Sequence, residues 1–462
     1  MDSLELFNPL KPVELLISVA SYLTHCKIMV LVILILSLAV TLFLGDESRL
    51  LPWLVIIPLL TTVVKNIHRK RTVFDPDLFF PAYYCFWMGG GYLVSFYRRD
   101  AIGLAHPGFS HLAFLILFAF LFWWIGYHLP RLKFFPSPEH PPATVGPVAD
   151  NGYNRVMRSC LIILIIGLAG TAIFYLGGAL RILLGGFIEE TRVEMIFGRG
   201  YLFFLAKSIN TVVPIYVGTK WYFGKKLDIA DYWLLAVSLV LIALPFNRRP
   251  ILWFIITLLI LFHYLKQNIS YKKSVIYFLL FLFAAVMMFQ IRSPDRSFSD
   301  RFINEIIVHV GNIGLYLQNL ELIGKQGLTP FVMNLKMLLP GHQIDFGLWL
   351  KERLGMTFPG GGISLTLVGE GMITARVAGV ALEAFLIGYI LKLAYLKFSR
   401  CFTLRNLFIY IIILYKAAEA INYGLALLMI GTLYEIGLVL IIVPSSVFHR
   451  GPESTGSNSK TG

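Results

Sequence analysis

Arginine residues mark the short turns between apolar segments of this sequence. Arg248 and Arg249 lie in a turn of only a few residues, and Arg292 follows another apolar segment. Pro250 suits the first turn of a helix, whose N-terminus offers free N–H groups to an anion. The planar guanidinium group binds phosphate or carboxylate through two parallel hydrogen bonds. The pattern therefore predicts an anion site, and the alternative is a pair of arginines that only anchors the turn at a membrane surface.

Two residues of the long polar segment 292–372 are candidates for a general base. The segment separates two apolar segments and is too long for an ordinary connection, so we expect it to be functional. His342 lies in a Pro-Gly turn near Asp345, and an imidazole of ordinary pKa can accept a proton from a hydroxyl group. Glu370 lies where the segment meets the next apolar stretch. The alternatives are a surface histidine and a simple Glu370–Arg376 ion pair.

The remaining candidates are further charges in the same set of loops. The loop 177–200 could be a docking surface for sugars or a lipid headgroup, or a solvated amphipathic helix. The predicted diphosphate contacts are Arg192, Arg248, Arg249, Arg292 and Arg376, and the predicted substrate contacts are Arg199, Arg296, Lys416 and Glu419.

Composition places these loops on a membrane protein. Hydrophobic residues make up 57% of the 462 residues and charged residues only 14%, against about a quarter in soluble domains. At about 20 residues per crossing, the apolar segments predict an all-α chain of roughly twelve transmembrane helices. The net charge of +14 is then explained by basic cytoplasmic loops that set the membrane orientation, and not by nucleic-acid binding. The four cysteines fall in or beside apolar segments and have no metal-ligand spacing, so we expect neither disulfides nor a metal site. No cofactor is expected.

The apolar segments divide the chain into four parts. Residues 1–291 contain an interfacial N-terminal segment and nine crossings, among them 51–64, 78–96 and 110–127, and residues 292–372 form the long segment. Residues 373–447 contain three more crossings, the first at 373–396 and the last two separated by a break near Glu419 to Gly424. Residues 448–462 are predicted to be a disordered tail.

Lysine and arginine are distributed unequally between alternate loops, and this predicts the orientation. The richer set includes the loops around Lys70, the Pro-rich stretch near Pro136, Lys225, Lys272 and Lys397. Because basic loops stay in the cytoplasm, this set and both termini are predicted to be cytoplasmic. The arginine turns and residues 292–372 then share the external face.

With these features the chain resembles bacterial oligosaccharide repeat-unit polymerases, the family of O-antigen and enterobacterial common antigen polymerases. The resemblance covers most of the chain and rests on the following stretches: Phe74-Asp-Pro-Asp-Leu-Phe-Phe-Pro, Glu190-Thr-Arg-Val-Glu, Gly198-Arg-Gly-Tyr-Leu, Gly327-Leu-Thr-Pro, Pro340-Gly and Ile363-Ser-Leu-Thr-Leu-Val-Gly. One departure is Phe246-Asn-Arg-Arg, where relatives often have Gly-Thr-Arg or Gly-Ser-Arg. It leaves Arg248 and Arg249 equally eligible.

The resemblance implies a metal-independent glycosyltransferase of GT-C-like architecture in the bacterial cytoplasmic (inner) membrane. Its donor and acceptor would both be oligosaccharides linked to undecaprenyl diphosphate, and a chain-length-regulating membrane protein is an expected partner beside the membrane lipids. One rival is the ligase that moves finished O-antigen onto lipid A core, or another lipid-linked-sugar glycosyltransferase. A second rival is a transporter or flippase, against which stand the lack of a clear internal repeat and the position of most charges at helix ends.

Overall fold

The computed structural model describes twelve parts of the chain. They are residues 28–69, 72–98, 108–129, 150–176, 200–243, 248–267, 269–270, 273, 276–277, 298–336, 344–357 and 362–444. The predicted interfacial segment, the Pro-rich stretch, the loop 177–199, most of the ninth crossing and the tail lie outside these residues. So do five of the candidate site residues: Arg192, Arg199, Arg292, Arg296 and His342.

The described residues are helical, and no strand occurs among them, which confirms the all-α prediction for this part of the chain. The helices are α1 (Ile28–Thr41), α2 (Leu51–Arg69), α3 (Pro76–Tyr84, continued by the π-helical Cys85–Gly90 and by Gly91–Tyr97), α4 (Phe109–His128), α5 (Asp150–Phe174), α6 (Gly200–Tyr222), α7 (Ile229–Ala243), α8 (Arg248–Leu265), α9 (Phe298–Gln318), α10 (Leu320–Ile323), α11 (Thr329–Lys336), α12 (Phe346–Arg353), α13 (Leu367–Ala375), α14 (Val377–Arg400), α15 (Leu404–Tyr423) and α16 (Leu425–Ile442).

Four of these helices are long and apolar enough to cross a membrane by length and composition. They are Phe109–His128, Gly152–Phe174, Val377–Arg400 and Leu425–Ile442. Four shorter apolar helices accompany them: Ile28–Thr41, Leu51–Ile67, Ile229–Ile242 and Arg249–Leu265. Large apolar side chains on α1, α5 and α7 are exposed, as expected where a helix faces lipid rather than a protein core. The helices therefore indicate a membrane-embedded protein.

Close helix packing holds the centre of the bundle. The backbone of α14 approaches that of α4 at two glycines, since a Cβ on Gly388 would lie 2.2 Å from the Trp123 carbonyl oxygen and one on Gly126 would lie 2.2 Å from that of Phe385. Such contacts are typical of membrane helices, because small residues let two backbones approach where lipid supplies no hydrophobic driving force. The pair α4–α14 forms a rigid base for the short helix α13, which packs on both.

The break predicted near Glu419 to Gly424 is confirmed at Gly424. Helix α15 ends at Tyr423 and α16 begins at Leu425, with Gly424 between them at φ 75° and ψ 170°. Side chains other than glycine rarely adopt this backbone conformation. The break therefore depends on a glycine at this position.

One end of the bundle collects the break and most of the long segment. Arg249 near the start of α8 meets Glu419 near the end of α15, so these two helix ends lie together. His309 of α9 and Glu370 of α13 contact residues on either side of the break, Tyr423 and Ala426. Helices α9 and α13 of the long segment thus pack at the end where α15 ends and α8 and α16 begin.

We expect this end to be external, and cysteine labelling measures it. Leu328 belongs to the long segment and is 73% exposed, so a cysteine there should react with a membrane-impermeant thiol reagent on intact spheroplasts. Cys401 is also exposed and lies in a predicted cytoplasmic loop, which makes it the internal control. In a background without Cys26, Cys85 and Cys160, it should react only after lysis. The reverse pattern of labelling would show that the orientation is opposite to the predicted one.

Candidate active site

Five charged side chains form a cluster at this end of the bundle, contributed by four helices. Arg249 Nε lies 3.6 Å from Glu419 Oε1, and Lys416 Nζ lies 3.3 Å from Glu419 Oε2. Lys416 Nζ also lies 3.0 Å from Glu435 Oε1 on α16. Lys207 on α6 is within electrostatic reach of both carboxylates and both cations. We call these five residues the charge cluster.

The charge cluster leads from the end of the bundle into its interior. The Arg249 side chain is 29% exposed, whereas that of Lys416 is 15% exposed and that of Glu419 only 4%. Lys207 lies about 10 Å along α6 from its start, at about 1.5 Å of rise per residue. Arg249 is therefore the member that a ligand arriving from solvent meets first.

Charges inside membrane helices are costly and often mark a functional site. Of the predicted site residues, the structure brings Arg249, Lys416 and Glu419 together. Sequence reasoning missed Lys207 and Glu435, although each interrupts an apolar helix and could have been found on that ground. The expectation that most charges lie at helix ends does not hold for Lys207, Lys416 and Glu435. The side chain of Arg248 lies outside the described part.

Aromatic rings form a continuous wall beside the charge cluster. The Arg249 guanidinium carbon lies 3.1 Å from the centroid of the Tyr423 ring, well inside the range of about 6 Å for a cation–π contact. From Tyr423 the wall continues through His309, Trp87, Tyr83, Trp253 and Tyr415, with centroids 5.2 to 6.1 Å apart. The π-helical part of α3 carries Trp87. Such irregular helix turns are frequent at functional sites.

His309 occupies the centre of this wall and is 3% exposed. Its helix α9 lies in the predicted external segment. It packs so closely on α3 that a Cβ on Gly91 would lie 2.8 Å from the Ile306 carbonyl oxygen. Burial, and then the charge of Arg249, lower the pKa of His309 to about 3, so the imidazole is neutral at physiological pH. Among the described residues, Nδ1 has no hydrogen-bond partner. Sequence reasoning selected His342 and not this histidine.

Glu370 has a well-defined structural role. It is fully buried, and its two carboxylate oxygens accept from the Ala426 N–H at 2.9 and 3.1 Å. Ala426 is in the first turn of α16, where backbone N–H groups have no partner within the helix. An unsatisfied N–H group is especially costly within a membrane bundle. Glu370 therefore caps α16 from another helix, and its proposed role as a base stays a prediction.

Arg376 is the C-cap of α13 and does not contact Glu370 in the described structure. Its Nη2 donates to the Leu320 carbonyl at 3.2 Å. Arg376 and Thr366, which bracket α13, have φ of 61° and 58°, a conformation that costs a non-glycine residue about 1–3 kcal/mol. The backbone strain at Thr366 is offset by a hydrogen bond that its side-chain oxygen accepts from the Gly369 N–H at 3.0 Å. The short helix that carries Glu370 is thus held in a strained position.

The glycine at the break can be tested by substitution. An Ala at Gly424 would place its Cβ 2.1 Å from Glu370 Oε2 at a φ of 75°. We expect Gly424→Ala to lower the melting temperature in detergent, since the backbone strain alone is about 1–3 kcal/mol. Gly437 lies inside α16, and a Cβ added there would have no atom within 4 Å, so Gly437→Ala is the matched control and should not destabilise the protein. Equal melting temperatures for the two variants would contradict the capping role of Glu370.

Two other observations complete the description of the site. Asp345, which the sequence placed near His342, is the N-cap of α12 and accepts from the Leu348 N–H at 2.7 Å. No group of three or more His, Cys, Asp or Glu side chains that could hold a metal ion occurs in the described part of the chain.

Comparisons with known proteins add no relative. No family model matches the chain, and neither the curated proteins nor the solved structures contain a match. The resemblance stated from the sequence therefore rests on its motifs alone.

Proposed function

We propose that the chain is an integral-membrane glycosyltransferase that joins oligosaccharide repeat units carried on undecaprenyl diphosphate. The observation that carries the proposal is the charge cluster beside its aromatic wall. Three cations, Lys207, Arg249 and Lys416, gather around the carboxylates of Glu419 and Glu435. Charges inside membrane helices are costly and often mark a substrate site. Cations at such a site suit an anion such as a diphosphate, which an arginine binds through two parallel hydrogen bonds.

The aromatic wall supplies the second half of the proposed substrate site. Aromatic side chains offer a large apolar face together with a polar edge, which suits a sugar ring that is apolar on its faces and polar around its rim. Tyr83 lies within electrostatic reach of Arg249 and Glu419. Its ring contacts those of Trp253 and Trp87, and Trp87 lies next to His309. A glycan on a lipid diphosphate could thus place its phosphates at Arg249 and its first sugars on these rings.

The proposed reaction is a displacement at the anomeric carbon of the donor. The acceptor hydroxyl oxygen forms a bond to that carbon, the bond from the carbon to the diphosphate oxygen breaks, and the hydroxyl proton passes to a base. Arg249 and Lys416 would offset the charge that develops on the leaving diphosphate. His342 and Glu370 remain the candidate bases from the sequence. His309 lies on the aromatic wall nearby, but its pKa, lowered to about 3, makes the imidazole a weak proton acceptor, so we do not add it to them.

A second candidate, a transporter, gains support from one observation. Lys416 and Glu435 form an ion pair inside two helices that are interrupted at Gly424. Interrupted helices and buried charges near their break are typical of secondary transporters. A ligase shares the proposed glycosyl-transfer chemistry and differs in its acceptor.

Reconstitution separates the three classes. Purified protein in liposomes should convert a lipid-linked repeat unit into a ladder of longer glycans on the same lipid. Product attached to lipid A core instead would indicate a ligase. Movement of the repeat unit across the bilayer without new glycosidic bonds would indicate a transporter and would contradict the proposal.

A further inference from the structure

A cleft opens next to Lys207, between the ends of four helices. The walls are mainly apolar and include Phe174, Ile242 and Pro250, whereas the polar groups come from Thr171, Tyr175, Lys207 and Asn210. The lining comes from the end of α5, the start of α6, the end of α7 and the start of α8. The cleft therefore lies at the same end of the bundle as the charge cluster.

Among the described helices, the packing leaves the cleft open on its lipid-facing side. Helix α6 packs against α5, α7 and α8, whereas α5 and α7 barely touch each other. The outward faces of these two helices carry exposed apolar side chains, among them Ile173 and Val240. The gap between α5 and α7 thus has two lipid-facing walls, and its floor is α6, which carries Lys207.

We propose that this cleft holds the hydrocarbon chain of a single-chain lipid with a phosphate or diphosphate headgroup. The chain would enter sideways from the bilayer between α5 and α7, and the phosphate would lie at Lys207 and point toward Arg249 and Lys416. Apolar walls suit the chain, and the cations at the inner end suit an anionic headgroup. The empty volume of the cleft is about 470 Å³, and we assign it to one hydrocarbon chain. The inference deepens the proposed function and rests on it for the identity of the lipid as the glycan carrier.

Lipid binding to the purified full-length protein tests the cleft. The probes are a long-chain polyprenyl diphosphate, the uncharged polyprenol of the same length, and phosphatidylglycerol as a two-chain anionic lipid. Ala206 lines the cleft, so Ala206→Trp should fill it and weaken binding of the polyprenyl diphosphate at least tenfold. Lys207→Met should weaken binding of the diphosphate to a similar extent and leave binding of the polyprenol unchanged.

The matched control is Ala169→Trp, because Ala169 is exposed on α5 and does not line the cleft. It should bind the diphosphate like the wild type, and gel filtration should show the same monodisperse peak for all variants. If Ala206→Trp elutes as aggregate, the binding measured for Lys207→Met tests the inference instead. Wild-type binding by both cleft variants, or equal competition by phosphatidylglycerol, would overturn the inference.

The polymerisation assay separates this inference from the proposed function. Lipid binding that depends on Ala206 and Lys207 without any glycan ladder would refute the polymerase and leave the lipid cleft standing. A normal glycan ladder from Ala206→Trp would refute the cleft and leave the polymerase standing.

Discussion

Replacing Arg249 with Lys should abolish most of the glycan ladder while the protein remains folded in the membrane. Lysine keeps the charge but loses the planar fork that binds a phosphate through two hydrogen bonds. It also loses the flat contact of the guanidinium with the Tyr423 ring at 3.1 Å. Removing one donor that stabilises developing charge typically lowers the catalytic rate by about 10²–10³. The measurement is ladder formation by purified protein at equal concentrations.

The control for Arg249→Lys is Arg353→Lys, because Arg353 is an exposed arginine at the end of α12, remote from the charge cluster in the chain. It should polymerise like the wild type. Tyr423→Leu removes the ring beneath Arg249 without changing any charge and should lower the rate as well. If Arg249→Lys keeps more than a tenth of wild-type activity, Arg249 is not the phosphate contact. The neighbouring Arg248 then takes its place as the candidate.

The sequence predicted the helices well because hydropathy and length are local properties. The segments predicted at 51–64, 78–96 and 110–127 are helical as expected, and the structure extends each of them. The second of these contains the π-helical segment, which no apolar pattern predicts. The predicted crossing 373–396 is two helices, because Arg376 ends α13 before α14 begins at Val377.

The site could be predicted only in part, because its geometry joins residues far apart in the chain. Sequence reasoning selected three charges at the end of the bundle that is predicted to be external, because they lie beside or within apolar segments: Arg249, Lys416 and Glu419. That all three meet, and that Glu435 joins them, depends on the packing of α15 against α8 and α16. Likewise Glu370 was selected for its charge near the membrane. The N–H that it caps belongs to Ala426, 56 residues further along the chain.

Replacing Lys416 separates the contribution of the charge cluster to stability from its contribution to activity. The ammonium group lies between two carboxylates, 3.3 Å from Glu419 and 3.0 Å from Glu435. Glu419 keeps Arg249 as a partner in Lys416→Met, but Glu435 loses its ion pair with the Lys416 ammonium group. Removing one partner of a buried pair typically costs about 3–5 kcal/mol. We therefore expect Lys416→Met to lower the melting temperature and to abolish the glycan ladder.

The double variant Lys416→Met/Glu435→Gln should recover most of the lost stability, because it removes the carboxylate together with the cation that paired with it. It should not recover polymerisation, since a cation proposed to face the diphosphate is still missing. Lys336→Met, at an exposed lysine of α11, is the control and should change neither property. Both properties are measured on the same preparations, by melting in detergent and by ladder formation. Recovery of the ladder by the double variant would show that Lys416 serves only to neutralise Glu435, and the anion site would then rest on Arg249 and Lys207.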